Sequence, residues 1–131
     1  MPAQNNPGAQ FDKRHATTIV ATAAIVAARF VAYAGTHAPG AAHNVAANDV
    51  QGISESDAAS GDALSVITHY SGLVEASEAI TLGAYIKPAT DGSGKAAVGT
   101  QADHCGRALG VAGAAGELVE VERVRHIHPT S

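Results

Sequence analysis

A chain of 131 residues with 15% charged residues, 4% aromatics and no Trp has room for one domain with a modest core and little large apolar surface to fill it. The formal net charge of −4, with eight Lys and Arg scattered along the chain, excludes the clustered basic surface that nucleic-acid binding requires. The single cysteine, Cys105, excludes an internal disulfide and any multi-cysteine zinc site.

Residues 1–15, "MPAQNNPGAQFDKRH", carry two prolines and several amides and read as an extended N-terminal arm without a core of its own. The run that follows, Ala16 to Gly35, superficially resembles a secretory signal, because Lys13 and Arg14 precede it. Arg29 interrupts it, however, and at a bilayer centre would cost about 2.5–3.5 kcal/mol. Its uninterrupted apolar part, Ile19 to Ala28, is too short to span a bilayer, so neither an anchor nor a membrane partner is expected. The β-branched residues Thr17, Thr18, Ile19, Val20, Thr22, Ile25 and Val26 oppose helix formation while the alanines favour it. Thr17 to Ala27 therefore reads as strand or short helix, and Ala28 to Ala34 as strand.

Tyr33 to Asp49 is a loop-rich connection, and Val50 to Ser54 a short strand. Ala63 to Tyr70 alternates Leu64, Val66, Thr68 and Tyr70 against Ser65, Ile67 and His69, the period-two signature of a half-buried strand. After a break at Ser71-Gly72, the apolar pattern resumes over Leu73 to Ala76 and again over Ala84 to Lys87, stopping at Pro88. Asp91-Gly92-Ser93-Gly94 is a turn. Ala96 to Thr100, Ala102 to Val111 and Leu118 to Val124 are the remaining strand candidates, and residues 126–131 form a frayed tail. Seven to nine short strands at close spacing predict an all-β fold, a small barrel or sandwich over residues 16–125 with room for one short helix.

One phrase occurs twice. Ala58-Ala59-Ser60-Gly61-Asp62 leads into Ala63-Leu64-Ser65-Val66, and Ala114-Ala115-Gly116-Glu117 leads into Leu118-Val119-Glu120-Val121. In each copy a compact turn launches a strand, with Gly61 and Gly116 free to take positive φ. Gly83, Gly92, Gly94 and Gly106 are read as further structural turns.

No residue set forms a convincing catalytic or metal site. Cys105 stands beside His104, but neighbours on a strand point to opposite faces, which is poor geometry for a nucleophile and its base. His126 and His128 make an H-x-H pair with no third ligand at a suitable spacing. Glu120 and Glu122 alternate with Val119 and Val121, as on a solvated strand face. "DGSGK" lacks the spacing of a phosphate loop, and no Ser sits in a G-x-S-x-G elbow. No cofactor is expected.

The order of the pieces "VQGISESDAASGDALSVITHYSGLVEA", "AITLGAYIKPATDGSGKAA" and "GRALGVAGAAGELVEVER" resembles the head decoration, or capsid cement, proteins of tailed bacteriophages. The matching positions are Ile80, Gly83, Ile86, Asp91, Gly92, Gly106, Ala108, Leu109, Gly116, Glu117, Val119 and Val121, within residues 50–124. The Ala-rich N-terminal region and the connection Ala34 to Asp49 have no close counterpart in that family. The resemblance implies a non-enzymatic virion protein, a homotrimer on the outer surface of the head that clamps the major capsid protein and stabilises its lattice. On that reading the arm is the candidate clamp, with Phe11 as anchor and Lys13, Arg14 and His15 beside it to meet acidic capsid surface. The competing expectations are a small metal- or ligand-binding β-barrel in which His37, His43, His69 and His104 converge, and an enzyme that pairs Cys105 with a histidine.

Overall fold

The computed structural model describes residues 16–37, 50–101 and 103–124. Among them are nine strands and no helix: β1 Ala16–Val20, β2 Phe30–Ala32, β3 Val50–Ser54, β4 Ala63–Ile67, β5 Ser71–Glu75, β6 Tyr85–Pro88, β7 Ala96–Val98, β8 Gly106–Ala108 and β9 Leu118–Arg123. They form two antiparallel sheets, β1-β4-β3-β2 and β5-β9-β8-β6-β7. The architecture is sandwich-like rather than a closed barrel. The edges of the five-stranded sheet meet at one parallel bridge, Ala76 with Ala96, just beyond the end of β5.

Several strands are shorter than the apolar patterning predicts, because local backbone geometry ends them. The stretch Ala28 to Ala34 narrows to β2, since Ala28 takes a φ of +61° and Gly35 one of +78°. Of Thr17 to Ala27 only the start is strand, and the rest crosses the four-stranded sheet as irregular chain held by a bridge from Ile25 to Ala58. Of the two alternatives read for Thr17 to Ala27, strand or short helix, the described residues show strand at the start and no helix. The run Ala63 to Tyr70 ends at Ile67, and Tyr70 at φ +63° turns the chain into β5. Similarly, Ala102 to Val111 contracts to β8, flanked by bends.

The twice-used turn phrase is the visible part of a duplication that runs through both sheets. The pairs Ala16↔Ile67 and Val20↔Ala63 of β1 with β4 have counterparts Ser71↔Glu122 and Glu75↔Leu118 of β5 with β9. Val31↔Gly52 corresponds to Ile86↔Gly106, and Ser54↔Val66 to Ala108↔Val121. The turns correspond as well. The N–H groups of Ile25 and Ala58 each donate to the other's carbonyl (2.8 and 2.9 Å), as do those of Ile80 and Ala112 (2.8 and 2.9 Å). The Gly61 N–H donates to Ala21 at 2.7 Å, and the Gly116 N–H to Ala76 at 2.8 Å. Their φ angles are +92° and +93°. Among the described residues the main departure is the β6–β7 hairpin: the first repeat shows one bridge, Val31↔His37, where the second has a pair of strands joined by Ala89 to Lys95.

Each repeat buries its own inward face. Ala21, Ile25, Val31, Leu64 and Val66 form a cluster in the first, and their counterparts Ala76, Ile80, Ile86, Val119 and Val121 belong to the main core. That main core also takes in Phe30, Ala32, Val50 and Ile53 from the first repeat. The opposite face of the four-stranded sheet is therefore packed against the second repeat. Ile53 and Ile67 lie against Gly72 in β5, where the missing side chain makes room for them.

Candidate functional site

The junction of the two repeats is built around Arg29. Its side chain, 13% exposed, donates from Nη2 to Glu75 Oε1 at 2.9 Å and from Nη1 to the Ser93 carbonyl at 3.0 Å. Lys95 Nζ lies 3.4 Å from the other carboxylate oxygen of Glu75. The Arg29 hydrogen bond, with Lys95 beside it, holds the Glu75 carboxyl below its ordinary pKa. The DGSGK turn of the β6–β7 hairpin closes the junction: the Phe30 N–H donates to the Gly94 carbonyl at 2.7 Å. Within the turn, the Ser93 N–H donates to Asp91 Oδ1 at 2.9 Å, which fixes its shape. At the other end, Arg123 of β9 donates to the carbonyls of Val50 and Gln51 in β3 and of Cys105. Two arginines thus tie one sheet to the other through backbone carbonyls and one carboxylate.

The outer face of the five-stranded sheet is the other notable surface. Alternation turns Val74, Val119 and Val121 into the core and Leu73, Leu118, Glu120 and Glu122 outward. In cross-strand order, one row reads Ser71, Glu122, Arg107, Tyr85, and the next reads Leu73, Glu120, Leu109. The Arg107 guanidinium stacks 4.3 Å above the centre of the Tyr85 ring and donates from Nε to the Gly83 carbonyl at 2.8 Å. His104 lies against the same ring, with centroids 4.7 Å apart. Leu73, Leu109 and Leu118 are 43%, 47% and 53% exposed.

The candidate residues read from the sequence fall in several places. The arm with Phe11, Lys13, Arg14 and His15 lies outside the described residues, as do His43, His126 and His128. His37 accepts a hydrogen bond from the Val26 N–H at 3.1 Å in the first repeat, whereas His104 sits in the second with Nδ1 3.1 Å from the Thr100 carbonyl. Burial, together with the Arg29 charge, pulls the His37 pKa down. Among the described residues no three His, Cys, Asp or Glu side chains come together as metal ligands. Cys105 is buried in the main core, and burial pushes its thiol up to about 12, far from the thiolate that nucleophilic chemistry needs. Of the glycines read as turns, Gly61, Gly83, Gly92, Gly94 and Gly116 have positive φ. Gly106 instead lies inside β8, where a Cβ would meet the Glu122 carbonyl of the neighbouring strand, so its role is close strand approach rather than turning.

Sequence patterning passed over the Arg29–Glu75 junction and the Arg107–Tyr85 stack. The signal for the first was present, since a lone arginine in an apolar run must find acceptors if the run is buried. For the second no signal existed, because stacking depends on strand pairing between residues far apart in the chain.

The described chain is an all-β protein of two packed antiparallel sheets with a repeated four-strand unit. No protein-family model matches it, and no curated protein does. Among solved structures its fold is similar to that of the head fiber gp8.5 N base of bacteriophage phi29, with a TM-score of 0.61 and 22% identity over 85% of this chain and 98% of that one. At that identity the likeness is one of fold.

Proposed function

We propose that this protein is a structural component of a phage head, a decoration protein that binds the outer surface of the capsid and stabilises the lattice of the major capsid protein. The observation that carries the reading is the fold shared with a phage head fiber base over 85% of this chain and 98% of that one. The motif order through residues 50–124 supports it independently. So does the outer sheet face, on which Leu73, Leu109 and Leu118 stand exposed among charged residues. The role is non-enzymatic, the working form a homotrimer and the location the outside of the virion. The arm, with Phe11, Lys13, Arg14 and His15, is the clamp that reaches neighbouring capsid subunits. A lattice repeats one site many times, so contacts of modest strength suffice for high occupancy.

The test is addition of purified protein to heads lacking it. Saturation at a fixed ratio to the major capsid protein, with a rise in the temperature at which heads break open, is the expected result. Deletion of residues 1–15 is expected to abolish that saturation while leaving the domain folded. Failure of the full chain to bind heads would remove the reading.

A further inference from the structure

The duplication supplies an internal comparison between two copies of one face. In the first repeat the row Ala16, Ile67, Ile53, Phe30 is apolar, and Ile67, Ile53 and Phe30 pack against the second repeat. The corresponding row of the second repeat is Ser71, Glu122, Arg107, Tyr85. Ser71 is buried and bonded to Glu120, but Glu122 is exposed and Arg107 and Tyr85 are half-exposed, so no second sheet of the described residues packs over this row as one does in the first repeat. In the next rows most changes run in the opposite sense, apart from Val20, whose counterpart is Glu75 in the junction with Arg29. Where the first repeat has Thr18 and Glu55, the second has Leu73 and Leu109, and Ala63 is replaced by Leu118. Solvent exposure alone does not call for leucine at these positions, since the first repeat builds the same sheet with polar or small residues there. Aliphatic side chains concentrated on one exposed face mark a contact surface. Tyr and Arg, the residue types that dominate interface energetics, stand directly beside them.

We infer that the outer face of β5, β9, β8 and β6 is where a second copy of this chain docks. The occupant follows from continuity with the contact inside the chain: this face of the fold, in the first repeat, already packs on another copy of the same fold. Charge agrees with that choice. The face carries both signs, and among the described residues the Arg107 guanidinium and the Glu122 carboxylate across the strand from it form no ion pair with each other or with a third group. A surface bearing both signs is matched by another copy of a mixed-charge chain rather than by a uniformly acidic or basic partner. The inference rests on the decoration reading only in naming the face through which the copies of the proposed oligomer touch.

The experiment compares native mass by light scattering for the full chain, for Leu73→Lys with Leu118→Lys, and for the control Thr18→Lys with Ala63→Lys at the corresponding positions of the first repeat. The expected result is a multiple of 13.1 kDa for the unaltered chain and the control, and 13.1 kDa for the leucine variant with an unchanged far-UV spectrum. An unaltered chain that is monomeric, a leucine variant that keeps its mass, or a control that dissociates equally overturns the inference. Binding to heads is scored separately. A monomer that saturates heads leaves the decoration reading standing without this one, and an oligomer that ignores heads does the reverse. A leucine variant that keeps its mass but no longer binds heads reassigns the face to the capsid.

Discussion

At Gly52 and Gly106 an added Cβ would run into the carbonyl oxygens of Ile67 and Glu122 on the neighbouring strands, whereas at Gly61 and Gly116 nothing lies within 4 Å. The two kinds of glycine therefore predict different costs. Gly106→Ala is expected to destabilise by about 3 kcal/mol, because a paired strand must move. Gly116→Ala carries only the strain of positive φ, about 1–2 kcal/mol. Urea unfolding of the two variants checks the ordering. Ala28 offers the converse case. It holds φ +61° at the position where the second repeat has Gly83 at +81°. Ala28→Gly is expected to stabilise by about 0.5–1 kcal/mol, since relief of left-handed strain exceeds the extra freedom of the unfolded chain. Cys105 makes a third residue-scale prediction. With its thiol buried and its pKa near 12, it is expected to resist a thiol-specific reagent in the native protein and react fully in denaturant.

Between elements, the β6–β7 hairpin and the start of β2 are joined by the Arg29 side chain and by the Phe30 N–H to Gly94 carbonyl bond. Arg29→Ala removes the bonds to Glu75 and Ser93 and leaves the Glu75 carboxylate with Lys95 alone, an expected loss of about 1–3 kcal/mol by urea denaturation. The same junction sets a pH dependence. The folded-state pKa of Glu75 lies below its unfolded value near 4.5, so its contribution is complete above that pH and fades as pH falls through the folded value. For His37 the folded pKa also lies below the unfolded value near 6.5, so the unfolded chain takes up its proton first on acidification. Both groups act in one direction. The melting temperature is expected to fall in two stages on acidification, first below about pH 6.5 and again below about pH 4.5. The first stage is expected to vanish in His37→Gln and the second to weaken in Glu75→Gln.

For the molecule as a whole, the two repeats are not independent modules, because Phe30 and Ile53 of the first lie in the core of the second. Unfolding is expected to be a single cooperative transition, with far-UV circular dichroism and tyrosine fluorescence tracing coincident curves. Phe30→Ala, which empties a fully buried site at the shared core, is expected to cost about 3–5 kcal/mol and to destabilise both repeats together. Separate transitions for the two halves would show that the shared cluster contributes little.

The sequence by itself determined the all-β class and the approximate place of most strands, because period-two alternation is a local property written into residues such as Ala63 to Ile67 and Leu118 to Arg123. It also showed the turn before each of those strands, since an Ala-rich step with a glycine and an acid carries its own backbone requirement. The extent of the duplication was not legible there. Its counterparts, such as Ile53 with Arg107 and Ile67 with Glu122, differ in polarity because, among the described residues, the first face packs against a second sheet and the other does not. Nor could patterning assign Gly106 to a strand, as a glycine's need for close approach depends on which strand lies beside it. Tertiary structure decided which face of the repeated unit is buried, where Arg29 finds its acceptors, and that Tyr85 and Arg107 meet on an open sheet. Each of these depends on pairing between residues distant in the chain, which no local pattern encodes.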